Sequence, residues 1–467
     1  MESLRYSDWC YRSEGNCNVV IYSKKHGRVY RVLKVGTKYD ANGTAVTNED
    51  ILAHYTKQIQ YNACVMDRLY LDYMSVPVMK SINSQFLAML AQDIESKRPD
   101  NRMSKSISLC PTVLDIPDYA FLPAPLRNSN ISSFMFELKA GSVARSYNNI
   151  LCEDLCRDDV PQCTSAGGYC FYCITKSFLH KHNNKRLSRY CPQELFSGNQ
   201  SRMRKCIKQL LEDINCSRNK LRIFEDGTDI TPTLHSAEDV EAYFASHLSK
   251  GTNSTILDTL TNLLISCLTH SRQSTKKSDF TLHCPTEKLN RQQPSYLPSG
   301  CVLEIFVNAQ NFGCGNLEEL QQAYKNLKSL IAVDPSIKTK LCIDGPYDTG
   351  LWRLGCRPTL PQGVSAEVML DFIKVRNYLI YRTAKDASIL ITFQRGSKCS
   401  EDGAGAESSE HTFTITDSGK SQVFNCNVTI IDLDPKPFSQ MDRYLSTEQK
   451  VYNDLHQRQS SAIGFVH

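Results

Sequence analysis

The segment Val428-Thr429-Ile430-Ile431-Asp432-Leu433-Asp434-Pro435-Lys436-Pro437 limits what this chain can fold into more than any other stretch. Val428 to Ile431 read as a buried strand. Strand side chains alternate between faces, so Asp432 and Asp434 are expected to point the same way. Neighbouring carboxylates repel unless a cation or basic group sits between them. Lys436 follows, and Pro437 suits the first turn of a helix. A strand ending in paired acids, with a basic residue and a helix N-terminus beside it, suits Mg²⁺ and phosphate. The plainer alternative is an acidic strand end with Lys436 as a counter-ion, because D-x-D is short.

A chain of 467 residues has room for two or three domains and a large core. The charge balance, 54 Lys and Arg against 49 Asp and Glu, gives only +5. A nucleic-acid-binding protein favours a strongly basic domain, so anion recognition here must come from local clusters. The first residues, Met1 to Asn16, have no apolar core and are not expected to act as a secretory signal. No apolar run is long enough to span a bilayer. The 20 cysteines are therefore expected as reduced thiols or metal ligands rather than disulfides.

Residues 17–36 read as two strands joined by a Lys24-Lys25-His26-Gly27 turn. Ser13, Glu14, Gly15 and Asn16 precede them, in a hairpin suited to cover a nucleotide, with Arg31 and Lys34 on its second strand. An ordinary hairpin is the default reading. A long helix is expected over 48–74, its acids near the positive end of the dipole, and a second over 85–97. Residues 113–119 read as a connector. Residues 133–141 read as a strand that puts Glu137 and Lys139 on one face, where a structural ion pair is an equal alternative. Cys170-x-x-Cys173 has zinc-ligand spacing, but buried free thiols are the commoner outcome. Lys176, Lys181, Lys185, Arg186 and Arg189 form a basic patch. Helices are expected over 201–214, 254–270, 317–332 and 365–384, and Ser236 with Asp239 has the spacing of a capping box. Residues 271–300 and 395–410 read as loops. Asp386 is expected to open the strand 387–393, and further strands cover 412–416 and 422–431. Lys436, Gln440 and Tyr444 have i, i+4, i+8 spacing on the expected final helix.

Phosphoryl transfer needs carboxylates for metal, cations on the transferred group and a positioner for the attacking hydroxyl. Asp432 and Asp434, the distributed Lys and Arg residues, and Asp386 offer these three. Several pieces together resemble the inositol-pentakisphosphate 2-kinase family. They are SEGNCNVV with VYRVLK, RPDNR at 98–102, FELKAG, YCFYC, SRYCPQELFSG at 188–198, NKLRIFEDG at 219–227, AKDASILI at 384–391 and IDLDPKP at 431–437. Their order along the chain matches that family.

The resemblance implies an α+β fold of divergent, two-lobed, kinase-like form. A β-rich N-lobe would occupy 1–117. A larger α/β C-lobe would occupy 118–467, with inositol-binding insertions and an enlarged helical region over 150–330. It implies ATP and Mg²⁺ as cofactors and transfer of the γ-phosphate to the 2-hydroxyl of inositol 1,3,4,5,6-pentakisphosphate. Gly15, Asn16, Arg31, Asp118, Glu137 and Arg222 would serve the nucleotide. Arg102, Lys139, Lys176, Asn219, Arg222, Lys436, Gln440 and Tyr444 would serve the substrate. Lys139 would lie near the transferred phosphate, Asp386 would orient or deprotonate the hydroxyl, and Asp432 with Asp434 would hold the metal. A structural zinc occurs in some members, and whether the cysteine cluster holds one here stays open. The expected partner is a small molecule, with no membrane and no nucleic acid as main ligand, for a monomer in cytoplasm, nucleus or both. The alternative is a non-catalytic inositol-phosphate-binding or scaffold protein. Two departures bear on it: Ala140 follows Lys139 where the family usually has further lysine-containing sequence, and Gln440 stands where a basic residue is often found. Whether Lys176 or Lys181 replaces the missing lysine stays open.

Overall fold

The computed structural model describes residues 6–36, 46–143, 171–180, 187–216, 219–248, 254–272, 296–313, 316–355, 358–396, 411–417 and 420–463. Cys170, Lys181, Lys185 and Arg186 lie outside them, as do most of the two expected loops at 271–300 and 395–410. The fold is α+β.

Strands β1 (Cys10–Glu14), β2 (Asn18–Ser23), β3 (Arg28–Val35), β4 (Val78–Ser81), β5 (Ser106–Ile107) and β6 (Thr112–Pro117) make a first antiparallel sheet of order β1-β2-β3-β6-β4, with β5 also on β3. Alternation in β2 and β3 sends Val19, Ile21, Tyr30 and Val32 into one core. There they meet Trp9, Val113 and the helix Ser84–Ile94, which supplies Phe86, Leu87 and Leu90. Trp9 stacks on Tyr30 with ring centroids 3.9 Å apart. The other face is covered by the helix Asn48–Tyr61, through Ile51 and Tyr55 against Leu114. That helix starts on a capping box between Thr47 and Asp50. It widens to a π-helical turn at Asn62–Met66, returns to α-helix over Asp67–Tyr70 and tightens to a 3₁₀ turn at Leu71–Tyr73, so the helix expected over 48–74 runs almost its whole length.

Residues 113–119 are not a connector over most of their length. Strand β6 lies between β3 and β4, and Val113 and Leu114 are buried on opposite faces. A strand covered on both sides has no polar alternation to announce it. The connecting segment begins at Asp118.

Strands β7 (Phe134–Lys139), β8 (Leu221–Glu225), β9 (Thr228–Asp229), β10 (Ser388–Arg395), β11 (Thr412–Asp417) and β12 (Lys420–Ile431) make a second antiparallel sheet, of order β11-β12-β10-β7-β8-β9. One face of β7, β10 and β12 packs Phe136, Leu138, Ile389, Ile391, Phe393, Val428 and Ile430 into the largest core. Apolar stripes of the helices Gln200–Glu212, Ile256–Thr269, Val302–Asn311 and Ala366–Asp386 complete it.

Two expected boundaries shift at places that matter. Asp386 does not open the strand: the helix runs on through Lys385 to Asp386, and β10 begins at Ser388. Nor does Pro437 start the last helix. A single tight turn at Phe438–Gln440 precedes the helix Met441–Ile463, so Lys436 stands before it rather than on one of its faces. Among the described residues no helix is long and apolar enough to cross a membrane.

Candidate functional site

The ends of β7, β10 and β12 meet in register, with Lys139 opposite Ser388 and Ser388 opposite Ile431. On β8, Arg222 pairs opposite Glu137. Glu137 and Lys139, two residues apart, share a face as expected, and their charged groups are 4.0 Å apart. Glu137 accepts from the Ser388 hydroxyl at 2.9 Å and from Arg222 Nη1 at 3.4 Å. Lys139 Nζ donates to Asp432 Oδ2 at 3.2 Å, and the same Ser388 hydroxyl lies 3.3 Å from that oxygen. A hydroxyl has one proton, so Ser388 serves either carboxylate but not both at once. Desolvation pushes the Glu137 carboxyl upward and nearby Asp432 adds to it, against the pull of Arg222 and Lys139. Desolvation works against the Lys139 charge, yet Asp432, Glu137 and Asp386 outweigh it and raise its pKa.

Asp432 has φ of 65°, in the left-handed region that non-glycine residues seldom occupy. This turn explains why strict alternation fails here. Asp432 is directed to Lys139 and Ser388 and Asp434 to Arg31 and Gln58, while Arg31 also feels the Asp432 charge. Asp434 Oδ2 accepts from Arg31 Nη2 at 2.6 Å, and its Oδ1 accepts from Gln58 Nε2. Desolvation pushes Asp434 up, but Arg31 and then Gln58 hold it below the usual carboxylate range. Asp434 therefore ties β3 and the helix Asn48–Tyr61 to the segment after β12. Tyr61 OH on Thr383 at 3.1 Å reinforces that tie.

Asp386 closes the C-terminal end of its helix, where the dipole disfavours an acid. Lys436 Nζ offsets this at 2.8 Å. Desolvation raises the Asp386 pKa, but Lys436 and Arg382 more than counter it and bring the carboxyl below its ordinary value. Tyr444 is buried under Arg382, whose guanidinium stands 4.2 Å over its ring. Gln440 is half-buried in the turn before the last helix.

Other expected site residues serve as local ties. Lys176 is buried, and its ammonium donates to the carbonyls of Ser188 (2.7 Å) and Tyr190 (2.9 Å), which corrects the expectation that it faces substrate. The Asn219 amide donates to Leu210 O and Asp213 O and accepts from Leu221 N, pinning the helix Gln200–Glu212 to β8. Lys34, expected near nucleotide, is buried against Glu14 at 2.8 Å. Gly15 N donates to Asn18 O, a turn in which Asn16 accepts from Arg102 Nη1 and its carbonyl from Lys105 Nζ. Arg222 also pairs with Asp229 at 2.5 Å. Cys173 is buried against Cys191, and among the described residues no group of three His, Cys, Asp or Glu could hold a metal.

Asp118 keeps its backbone at the junction of the sheets, with its N–H on Gly27 O at 3.0 Å. Its fully buried carboxylate takes a two-pronged grip from Arg12, at 2.5 and 2.9 Å. Arg12 also donates to Gly227 O at 3.2 Å, joining β1 to the β8–β9 turn. The sequence gives no sign of this, because the three residues are far apart in the chain. Gly227 has φ of +83°, and a Cβ there would stand 2.3 Å from Arg12 Nη2. Gly227→Ala is expected to cost about 1–3 kcal/mol from the left-handed backbone and the displaced guanidinium together. A urea midpoint equal to that of the unchanged protein would contradict this.

Carboxylates and cations thus converge where the ends of β7, β10 and β12 meet in the second antiparallel sheet of an α+β protein. A profile of the family described as inositol-pentakisphosphate 2-kinase matches residues 11–450. An inositol-pentakisphosphate 2-kinase of Danio rerio is 26% identical over 484 residues, covering 97% of this chain and 94% of its own. One of Oryza sativa subsp. indica is 23% identical over 478 residues, covering 96% and 93%. The chain belongs to the inositol-pentakisphosphate 2-kinase family, and so to a family of transferases.

Proposed function

We propose that this protein transfers the γ-phosphate of ATP to the 2-hydroxyl of inositol 1,3,4,5,6-pentakisphosphate, giving inositol hexakisphosphate. The observation that supports it most is the grouping of Lys139 and Asp432 at one strand end, with the Asp386 carboxylate near enough to raise the Lys139 pKa. In this reading the first sheet is an N-lobe over 1–117 and the remainder a C-lobe, with nucleotide held between them. Arg31, the Gly15–Asn16 turn and the Asp118 backbone serve the nucleotide. Arg222 and Glu137 border its phosphates. The proposed compartment is cytoplasm, nucleus or both.

Mg²⁺ asks for one or two carboxylates together with substrate phosphates and water, so no all-protein cage is needed. Asp432 fits that need: its side chain is 42% exposed, and both contacts described for it fall on Oδ2. Asp434 would assist, with Arg31 giving up part of its grip. When bound, the ion would neutralise phosphate charge. Asp386 accepts the proton of the acceptor hydroxyl as its oxygen bonds to the γ-phosphorus and the bond to the β-phosphate oxygen breaks. Lys139 stands over the transferred group, and Lys436 and Arg102 meet acceptor phosphates. Lysine and arginine must offset the dense negative charge around the hydroxyl before the phosphoryl group can approach.

The test is ADP release by the purified protein with ATP and Mg²⁺, which should depend on added inositol pentakisphosphate. Release that ignores the inositol phosphate would overturn the reading. Lys436→Met gives a finer check. Without Lys436 the Asp386 pKa rises, so the acidic limb of the kcat profile should move to higher pH. An unmoved limb would remove Asp386 from proton transfer.

A further inference from the structure

Arg382 stands one helical turn before Asp386 on the helix Ala366–Asp386, so both project from the same side. No sequence motif pointed to it. Its side chain is only 14% exposed, and although Tyr378, Asp386 and Glu448 outweigh desolvation and favour its charge, its hydrogen-bonding capacity is not met. The nearest described acid oxygen, Glu448 Oε1, is 3.7 Å from Nη1, and Glu448 already accepts from Tyr378 OH at 2.8 Å. Arg382 Nε is buried and has no hydrogen-bond partner among the described residues. A guanidinium carries five donors, and leaving them unmet in a desolvated place is unfavourable.

Its setting accounts for the unmet donors. The guanidinium carbon lies 4.2 Å over the Tyr444 ring, a cation–π contact that uses none of the N–H donors. A planar edge of paired N–H groups suits a phosphate oxyanion. Lys436 lies 2.8 Å from the Asp386 carboxylate, so two cations attend the acid that would meet the acceptor hydroxyl. An acceptor ring with its hydroxyl at Asp386 carries phosphates on the neighbouring carbons.

We propose that Arg382 binds one of these acceptor phosphates on the Tyr444 side of Asp386, and so helps decide which inositol phosphates are accepted. The inference rests on the kinase reading above. Arg382 also pulls the Asp386 carboxyl toward ionisation, which agrees with a cation pointed at the acceptor side. Glu448 keeps the guanidinium in place from behind.

Calorimetry without turnover separates this from a purely structural tie between the two helices. Arg382→Met should weaken inositol hexakisphosphate and inositol pentakisphosphate binding about 10- to 100-fold, the loss of one charged hydrogen-bonding group. ATP affinity should stay within about twofold on the same charge argument, since Arg382 meets no nucleotide. Glu448→Gln, which frees the guanidinium, should bind polyphosphate as tightly as the unchanged protein or more so. Equal polyphosphate affinity in Arg382→Met overturns the proposal, as does an equal loss for ATP and polyphosphate. If Arg382→Met does not fold, Glu448→Gln decides alone, and weakened polyphosphate binding by it overturns the proposal. An unchanged protein that binds no inositol polyphosphate at all refutes the kinase reading itself, before any variant is compared.

Discussion

Replacing Asp386 by asparagine should lower kcat by about 10²–10⁴-fold while leaving ATP affinity close to that of the unchanged protein. Asparagine keeps the size of the side chain and can still accept a hydrogen bond, but it cannot take a proton at neutral pH. The change also removes the charge that Lys436 faces at 2.8 Å. That pair lies at a partly exposed helix end, so the effect on stability should be small beside the effect on rate. Because Lys436 and Arg382 hold the Asp386 carboxyl below its ordinary range, the group stays ionised above that range. Activity carried by Asp386 should therefore persist into mild acid and fall only as pH drops through the lowered value. Single-turnover measurements with saturating ATP would show this most cleanly. Substantial turnover by Asp386→Asn would remove the residue from the reaction.

The second large effect is on stability. Glu14→Ala should cost about 3–5 kcal/mol, the usual penalty for breaking a buried ion pair and leaving its partner charged. The Glu14 side chain is fully buried, between Lys34 at 2.8 Å and Arg98 at 3.0 Å, whose side chains are 1% and 5% exposed. Removing the acid strands two cations in the first sheet. It also loosens the segment that cradles the Gly15–Asn16 turn, since Arg98 donates onward to the carbonyls of Arg102 and Lys105. Desolvation raises the Glu14 pKa, but Arg98 and Lys34 outweigh it and keep it low. A lowered acid pKa contributes stability that is full above the unfolded value and is lost as pH falls through the folded one. The chain has two tryptophans, Trp9 in the first-sheet core and Trp352 in the larger one. In a Trp352→Phe background, Trp9 fluorescence reports the first sheet alone. Its urea midpoint should drop sharply in Glu14→Ala at pH 7. An unchanged midpoint would show that this buried charge cluster contributes nothing to the sheet.

Most strands and long helices were legible because their apolar periods are clean, as in β3 and the helix Gln200–Glu212. Strand β6 was not, since burial on both faces erases alternation. Around the acidic segment, the sequence revealed which residues gather but not where they point. A single left-handed residue, Asp432, turns the chain, and the two carboxylates that alternation would have paired take different partners. Motif resemblance also misassigned Lys176, whose inward ammonium reflects the fold of residues 188–190 rather than its charge. Ser388, Gln58, Arg12 and Arg382 were missed for one shared reason. Each acquires its role from a partner distant in the chain, or from a stacking contact that no spacing rule announces.

The identity of the reaction product tests the central claim most directly. The purified protein should be incubated with ATP, Mg²⁺ and inositol 1,3,4,5,6-pentakisphosphate, and the inositol product followed by phosphorus NMR. The expected result is a new phosphate on the 2-position, giving the hexakisphosphate spectrum, in the unchanged protein and not in Asp386→Asn. An unaltered pentakisphosphate spectrum, or phosphate added at any other position, would contradict it.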